Sequence, residues 1–182
     1  MKKIVIIVAL CLCTRGAVAI MPYFSAGGSV GIGGGDGAVH SGGFAGAFGV
    51  RYKVADINMR TELEYNNLIY DKEYKYAGQT YDYDLKTQLY LVNAMADIYG
   101  GGMRSGLHLG ITAGVADYNR ELPEILGGVA GDETSFIYGA SAGVGIYMIA
   151  GLYADIGVRY LRTLDDDGID SLSPYFTIRY GF

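Results

Sequence analysis

The chain has 182 residues, with 29 glycines, 17 tyrosines, no tryptophan and a charged fraction of 18%, a length that fits one domain and a charge content low for a water-exposed surface. Its net charge of −5 disfavours nucleic acid as a partner. Beyond the N-terminal segment the apolar residues fall in short alternating pieces, which excludes membrane helices built on runs of roughly 20 apolar residues.

Lys2 and Lys3 precede an apolar stretch from Ile4 to Cys13 and a small-residue site at Ala17-Val18-Ala19. This is the layout of an export signal, so residues 1–19 are read as a cleaved signal peptide and residues 20–182 as the folded domain. Cys11 and Cys13 each follow a leucine, where lipoprotein signals place a small residue, so both leave with the signal. Loss of Lys2, Lys3 and Arg15 takes the 14 basic residues to 11 against 19 acidic ones, a net charge of −8.

From Met21 onward a two-residue alternation recurs, the period of a strand with unlike faces. Phe24, Ala26, Val30 and Ile32 oppose Tyr23, Ser25, Gly27, Ser29 and Gly31; then Phe44, Phe48, Val50 and Tyr52 oppose Ala45, Ala47, Gly49 and Arg51. The third strand is the clearest, Ile57, Met59, Thr61, Leu63 and Tyr65 against Asn58, Arg60, Glu62, Glu64 and Asn66. The fourth is the least regular: Tyr90, Val92, Ala94, Ala96 and Ile98 face away from Leu91, Asn93, Met95 and Asp97, with its register open. The fifth runs from Leu107 to Val115, the sixth from Phe136 to Tyr147, the seventh from Leu152 to Tyr160, and the eighth ends the chain as SPYFTIRYGF, with Phe176, Ile178, Tyr180 and Phe182 on one face.

Eight strands joined by alternately short and long connections predict an all-β, antiparallel up-and-down transmembrane barrel with short periplasmic turns and longer extracellular loops. The two long loops are read as 67–84 and 117–134. The less apolar face is mostly Gly, Ser, Ala, Asn and Tyr, and its charges balance: Arg51, Arg60, Arg159 and Arg179 against Glu62, Glu64, Asp97 and Asp155. Equal numbers suit an internal ion-pair network, because an unpaired charge in a narrow lumen is costly. The opposite face then meets lipid, and its Tyr and Phe near the strand ends form interfacial girdles.

RTELEYNN (Arg60 to Asn67), VNAMADIY (Val92 to Tyr99) and the terminal YFTIRYGF resemble the third, fourth and last strands of the small eight-stranded outer-membrane barrels of the OmpA, OmpX and opacity-protein (surface antigen) type of Gram-negative bacteria. The resemblance implies the outer membrane as location, outer-membrane lipid and lipopolysaccharide as surroundings, and a terminal signal at Phe176, Ile178, Tyr180 and Phe182 for the barrel assembly machinery. It implies no cofactor and no enzymatic activity. Activities in that group range from adhesins and surface antigens to proteins without assigned biochemistry.

Ser29 and Ser141 sit in GxSxG patterns, but the hydrolase elbow needs a following helix and a histidine later in the chain, and His40 and His108 both precede Ser141. Asp165-Asp166-Asp167-Gly168 lacks the acid and the terminal glutamate of an EF-hand at Thr163 and Pro174, so no metal site is assigned. The segment holding Tyr70, Tyr74, Tyr76, Tyr81 and Tyr83 among charges is either a recognition surface, since tyrosine supplies contact area at low entropy cost, or a ribbon stabilised by cross-strand pairs. The expected function is a non-enzymatic surface protein whose loops, chiefly Tyr70 to Tyr83 and Glu121 to Ile125, engage a host or neighbouring cell. The alternative is a structural role in envelope integrity, with a small channel or membrane enzyme further behind.

Overall fold

The computed structural model describes residues 20–33, 39–54, 57–76, 79–99, 105–120, 131–164 and 170–181. The expected signal peptide, the acidic run at 165–168, Glu121 to Ile125 and Phe182 lie outside them. Eight strands follow in order: β1 Met21–Gly33, β2 Val39–Val54, β3 Ile57–Tyr76, β4 Gln79–Tyr99, β5 Gly106–Arg120, β6 Gly131–Tyr147, β7 Leu152–Thr163 and β8 Asp170–Gly181. Each pairs antiparallel with its sequence neighbours, and β8 returns to β1 to close an up-and-down barrel.

The alternation assigns the faces because a strand sends successive side chains to opposite sides. Arg60, Glu62, Glu64 and Asn66 are buried inside, while Ile57 and Leu63 are exposed outside. β4 settles in the same frame: Asn93, Met95 and Asp97 are inside, and Tyr90, Val92 and Ile98 are outside. Its faint alternation has a physical cause, since Leu89, Leu91 and Met95 also fill the lumen.

Two positions explain local features of the frame. The β6–β7 turn is closed by Met148 N–H donating to Leu152 O at 2.9 Å and Leu152 N–H to Ile149 O at 2.8 Å. Gly151 holds a φ of 82° there, a conformation that costs glycine nothing, and a Cβ on it would lie 2.6 Å from the carbonyl oxygen of Gly181. On the closing seam, the β1–β8 ladder runs from Tyr23↔Gly181 to Ser29↔Tyr175 and resumes only at Ile32↔Leu172. Pro174 falls in that interruption, and proline has no N–H to give a ladder.

The main departure from the sequence reading is the span 67–84, of which residues 67–76 and 79–84 are ladder and not loop. β3 has 20 residues and β4 has 21, about twice the 9–11 that cross a bilayer, and their pairing continues to Tyr76↔Gln79. Likewise β5 continues to Arg120 and β6 begins at Gly131, so residues 117–120 and 131–134 of the second expected loop belong to strands.

The interior is stratified. Toward the short-turn end lie the charged side chains, and toward the ribbon end Leu68, Leu89, Leu91, Ala116, Ile137 and Leu161 form one buried apolar cluster. Glycines make room in the charged layer: a Cβ on Gly49 would sit 2.5 Å from the Tyr23 ring, and one on Gly157 would sit 2.8 Å from the Tyr175 ring.

Candidate functional site

Two places carry the chemistry-bearing residues, the lower lumen and the projecting ribbon. In the lumen, Asp155 on β7 accepts Arg179 Nε and Nη2 at 3.0 and 3.1 Å and Arg60 Nη1 at 3.2 Å. Arg60, 1% exposed, also brings its Nε to 2.8 Å from Asp97 Oδ1, and Arg51 Nε lies 4.0 Å from Asp97 Oδ2. Glu64 takes both Arg159 Nη1 and Nη2, at 2.6 and 2.9 Å, the two-point geometry that suits guanidinium to carboxylate.

Glu62 joins the two halves. It stands 3.8 Å from Arg60 Nη1, accepts the Tyr23 hydroxyl at 2.6 Å, and receives Asn93 Nδ2 at 3.4 Å. The same Asn93 nitrogen donates to Glu64 at 2.6 Å, while its carbonyl accepts Thr112 Oγ1 at 2.8 Å. Arg51, Arg60, Glu62, Glu64, Asp97, Asp155, Arg159 and Arg179 thus form one connected set, drawn from β2, β3, β4, β7 and β8.

Aromatic faces complete its cover. The Arg179 guanidinium lies 4.6 Å from the Tyr153 ring and 5.4 Å from Tyr23, Arg51 lies 4.9 Å from Tyr153, and Arg159 lies 5.3 Å from Tyr175. Such stacking favours a desolvated cation. A cleft of about 230 Å³ opens at the turn end between Tyr23, Arg51, Tyr153 and Arg179, but its two guanidiniums already face Asp97 and Asp155. Chemically the layer neutralises itself.

Asn93, Tyr23, Tyr153 and Tyr175 are members that charge counting alone missed. Their strand parity was the available signal, because all four fall on the lumen side. His108 is buried and its Nε2 is 2.5 Å from Tyr175 Oη, with no nucleophile paired to it in that contact. Ser141 lies inside β6, between two strands, without the helix a hydrolase elbow requires. Among the described residues no group of three His, Cys, Asp or Glu could hold a metal ion; His40 pairs through its backbone with Asp71.

The terminal residues are placed on the wall. Phe176 and Tyr180 point outward, 47% and 46% exposed, with Ile178 between them. Rings meet there across strands: Phe24 and Phe48 at 5.1 Å, Tyr65 and Tyr90 at 5.5 Å. Tyr70, Tyr74 and Tyr76 occupy β3, and Tyr81 and Tyr83 occupy β4, with Tyr74 opposite Tyr81 and Tyr83 opposite Lys72. The structure therefore brings Tyr74, Tyr76, Tyr81 and Tyr83 together on the β3–β4 ribbon, while Tyr70 pairs with Ser41 of β2 as well and stays in the barrel wall, all five apart from the eight lumen charges.

A closed antiparallel barrel of eight strands, apolar outside and ion-paired within, is the fold of the small outer-membrane barrels. The chain shares it with Neisserial surface protein A (18% identity over 88% of this chain and 97% of that one, TM-score 0.59), with the N-terminal β-barrel domain of Pseudomonas aeruginosa OprF (15%, 89% and 97%, TM-score 0.52), and with Ail, the attachment invasion locus protein of Yersinia pestis, solved with the heparin analogue sucrose octasulfate (15%, 90% and 99%, TM-score 0.53). At these identities the likeness is one of fold. No protein-family model and no curated protein sequence matches the chain.

Proposed function

We propose that the protein is a non-enzymatic surface protein of the Gram-negative outer membrane, its barrel a scaffold and its β3–β4 ribbon a recognition element for a partner on a host or neighbouring cell. One observation carries this reading. The barrel interior is filled, yet β3 and β4 pair with each other without a break out to Tyr76↔Gln79, as the two longest strands among the described residues. A scaffold alone needs no such extension. The outward wall, with Phe24, Phe44, Leu63, Ile111 and Ile156 exposed, suits outer-membrane lipid and lipopolysaccharide as its surroundings, and the stripe of Phe176, Ile178 and Tyr180 suits recognition by the barrel assembly machinery.

Ail was solved with a sulfated ligand. Here Glu73, Asp82 and Asp84 outnumber Lys72 and Lys75 on the ribbon, so a polyanion is disfavoured and a protein partner is the better match. The test replaces residues 72–84 with an Asn-Gly turn and measures attachment of bacteria displaying either form. Loss of attachment with a still heat-modifiable barrel supports the reading, and unchanged attachment refutes it. The structural alternative draws on the lumen network; a deletion strain with normal detergent and antibiotic sensitivity counts against it.

A further inference from the structure

The β6–β7 turn is apolar throughout. It reads Met148-Ile149-Ala150-Gly151, and Ile149, 71% exposed, is the most exposed large apolar side chain among the described residues, with Met148 at 53%. The other short connections carry charge. Lys53 and Asp56 stand at the β2–β3 turn, diametrically opposite in the ring of eight, and Arg104 lies between β4 and β5.

The backbone of the turn sharpens the contrast. Leu152 N–H donates to Ile149 O at 2.8 Å, and the two residues between them hold positive φ, 48° at Ala150 and 82° at Gly151. This is the form of a type I′ turn, whose first central position favours asparagine, aspartate or glycine, the residues that adopt the left-handed conformation most readily. Ala150 is the sole non-glycine residue with a positive φ among the described residues. A strained alanine thus occupies a place where a polar side chain suits the backbone better. In water nothing opposes asparagine there, whereas in hydrocarbon its unpaired amide is costly.

Two further features fit apolar surroundings. Met148 N–H donates to Leu152 O at 2.9 Å and Gly151 O accepts Gly181 N–H at 3.0 Å, which pairs backbone groups that water would otherwise satisfy. The turn also continues the outer wall, since Val144 and Ile146 lead along the exposed face of β6 to Met148, with Ile156 of β7 beside Val144.

We propose that the β6–β7 turn is a lipid-contact element seated among the acyl chains of the inner leaflet, while the β2–β3 turn opposite stands in water. Its partner is phospholipid hydrocarbon, met by continuity with the lipid-facing wall. The inference rests on the barrel standing in a membrane and is independent of the ribbon's role.

The chain has no tryptophan, so a single introduced tryptophan reports its own surroundings. The test refolds Ile149→Trp, Lys53→Trp and, as a wall control, Ile156→Trp into phosphatidylcholine vesicles with and without bromine on the acyl chains. Ile149→Trp is expected to emit at short wavelength and to be quenched by the brominated lipid, as Ile156→Trp is, while Lys53→Trp emits at longer wavelength and is quenched by aqueous iodide. Independently, Ala150→Asn is expected to lower the urea midpoint of the barrel in vesicles although asparagine suits this turn better. Iodide-quenched, long-wavelength emission from Ile149→Trp in vesicles of lipid alone, the result for a turn kept for a periplasmic protein, overturns the inference. An unchanged or raised midpoint in Ala150→Asn, or lipid quenching of Lys53→Trp equal to that of Ile149→Trp, overturns it too. Long-wavelength emission from Ile156→Trp as well overturns the membrane reading itself.

Discussion

Arg159 on β7 grips Glu64 on β3 across the lumen through two hydrogen bonds of 2.6 and 2.9 Å. The two strands are not neighbours in the barrel, so the pair ties opposite walls together. Arg159 is 11% exposed and Glu64 4% by side chain, which leaves little water to compensate a lost partner. Glu64→Gln or Arg159→Gln is expected to cost about 3–5 kcal/mol, and the double substitution less than the sum. Urea unfolding of the refolded barrel in vesicles, run as a double-mutant cycle, measures both.

Gly49 and Gly46 lie three residues apart on β2 with opposite expectations. A Cβ at Gly49 meets the Tyr23 ring at 2.5 Å and Glu62 Cγ at 2.9 Å, whereas one at Gly46 meets nothing within 4 Å. Gly49→Ala is expected to destabilise by about 1–3 kcal/mol through overpacking. Gly46→Ala is expected to be neutral or stabilising by up to about 1 kcal/mol. Urea midpoints of the two variants decide it.

The apolar cluster of Leu68, Leu89, Leu91, Ala116, Ile137 and Leu161 lies above the charged layer, so an ion entering from the turn end meets paired charges and then hydrocarbon. The intact barrel is expected to give no unitary steps in planar bilayers. Leu161→Ala is expected to lower stability by about 2–5 kcal/mol, the range for a truncated buried leucine.

Tyr180 and Phe176 stand on the outer wall of the last strand. Removing Phe182, or changing Tyr180 to serine, is expected to reduce the amount of heat-modifiable barrel in the outer membrane more than it reduces attachment per assembled molecule. Quantitative immunoblots of boiled and unboiled membranes give the first quantity, and cell binding normalised to it gives the second.

The architecture was legible because the period of two is imposed on every strand by the same demand, one wall in lipid and one inside. β3 shows it best, since its inner residues are charged and its outer ones apolar. β4 blurred it, because Leu89, Leu91 and Met95 are apolar on the inside too, and residue type cannot separate a lipid-facing leucine from a plug leucine. The ribbon escaped for a related reason. Its alternation is of tyrosine with charge, as in Tyr81-Asp82-Tyr83-Asp84, two residue types equally at home in a loop, so it lacks the apolar-against-small contrast that marks strands elsewhere and reads as loop. The charge balance of the lumen was readable as a count, but the bridging by Asn93 was not, since connectivity depends on which strands stand opposite.

The interruption at Pro174 bears on the order in which the barrel comes together. β1 and β8 lie at the two ends of the folded chain, so their pairing closes the longest loop in the molecule and bears the largest entropic cost. It does so with a ladder that lacks rungs between Ser29↔Tyr175 and Ile32↔Leu172. Every other pairing joins strands next to each other in sequence. The β1–β8 contact is therefore expected to form last and to separate first, a hinge line built into the cylinder at which a sheet of eight strands can be rolled shut or opened without disturbing the other seven interfaces.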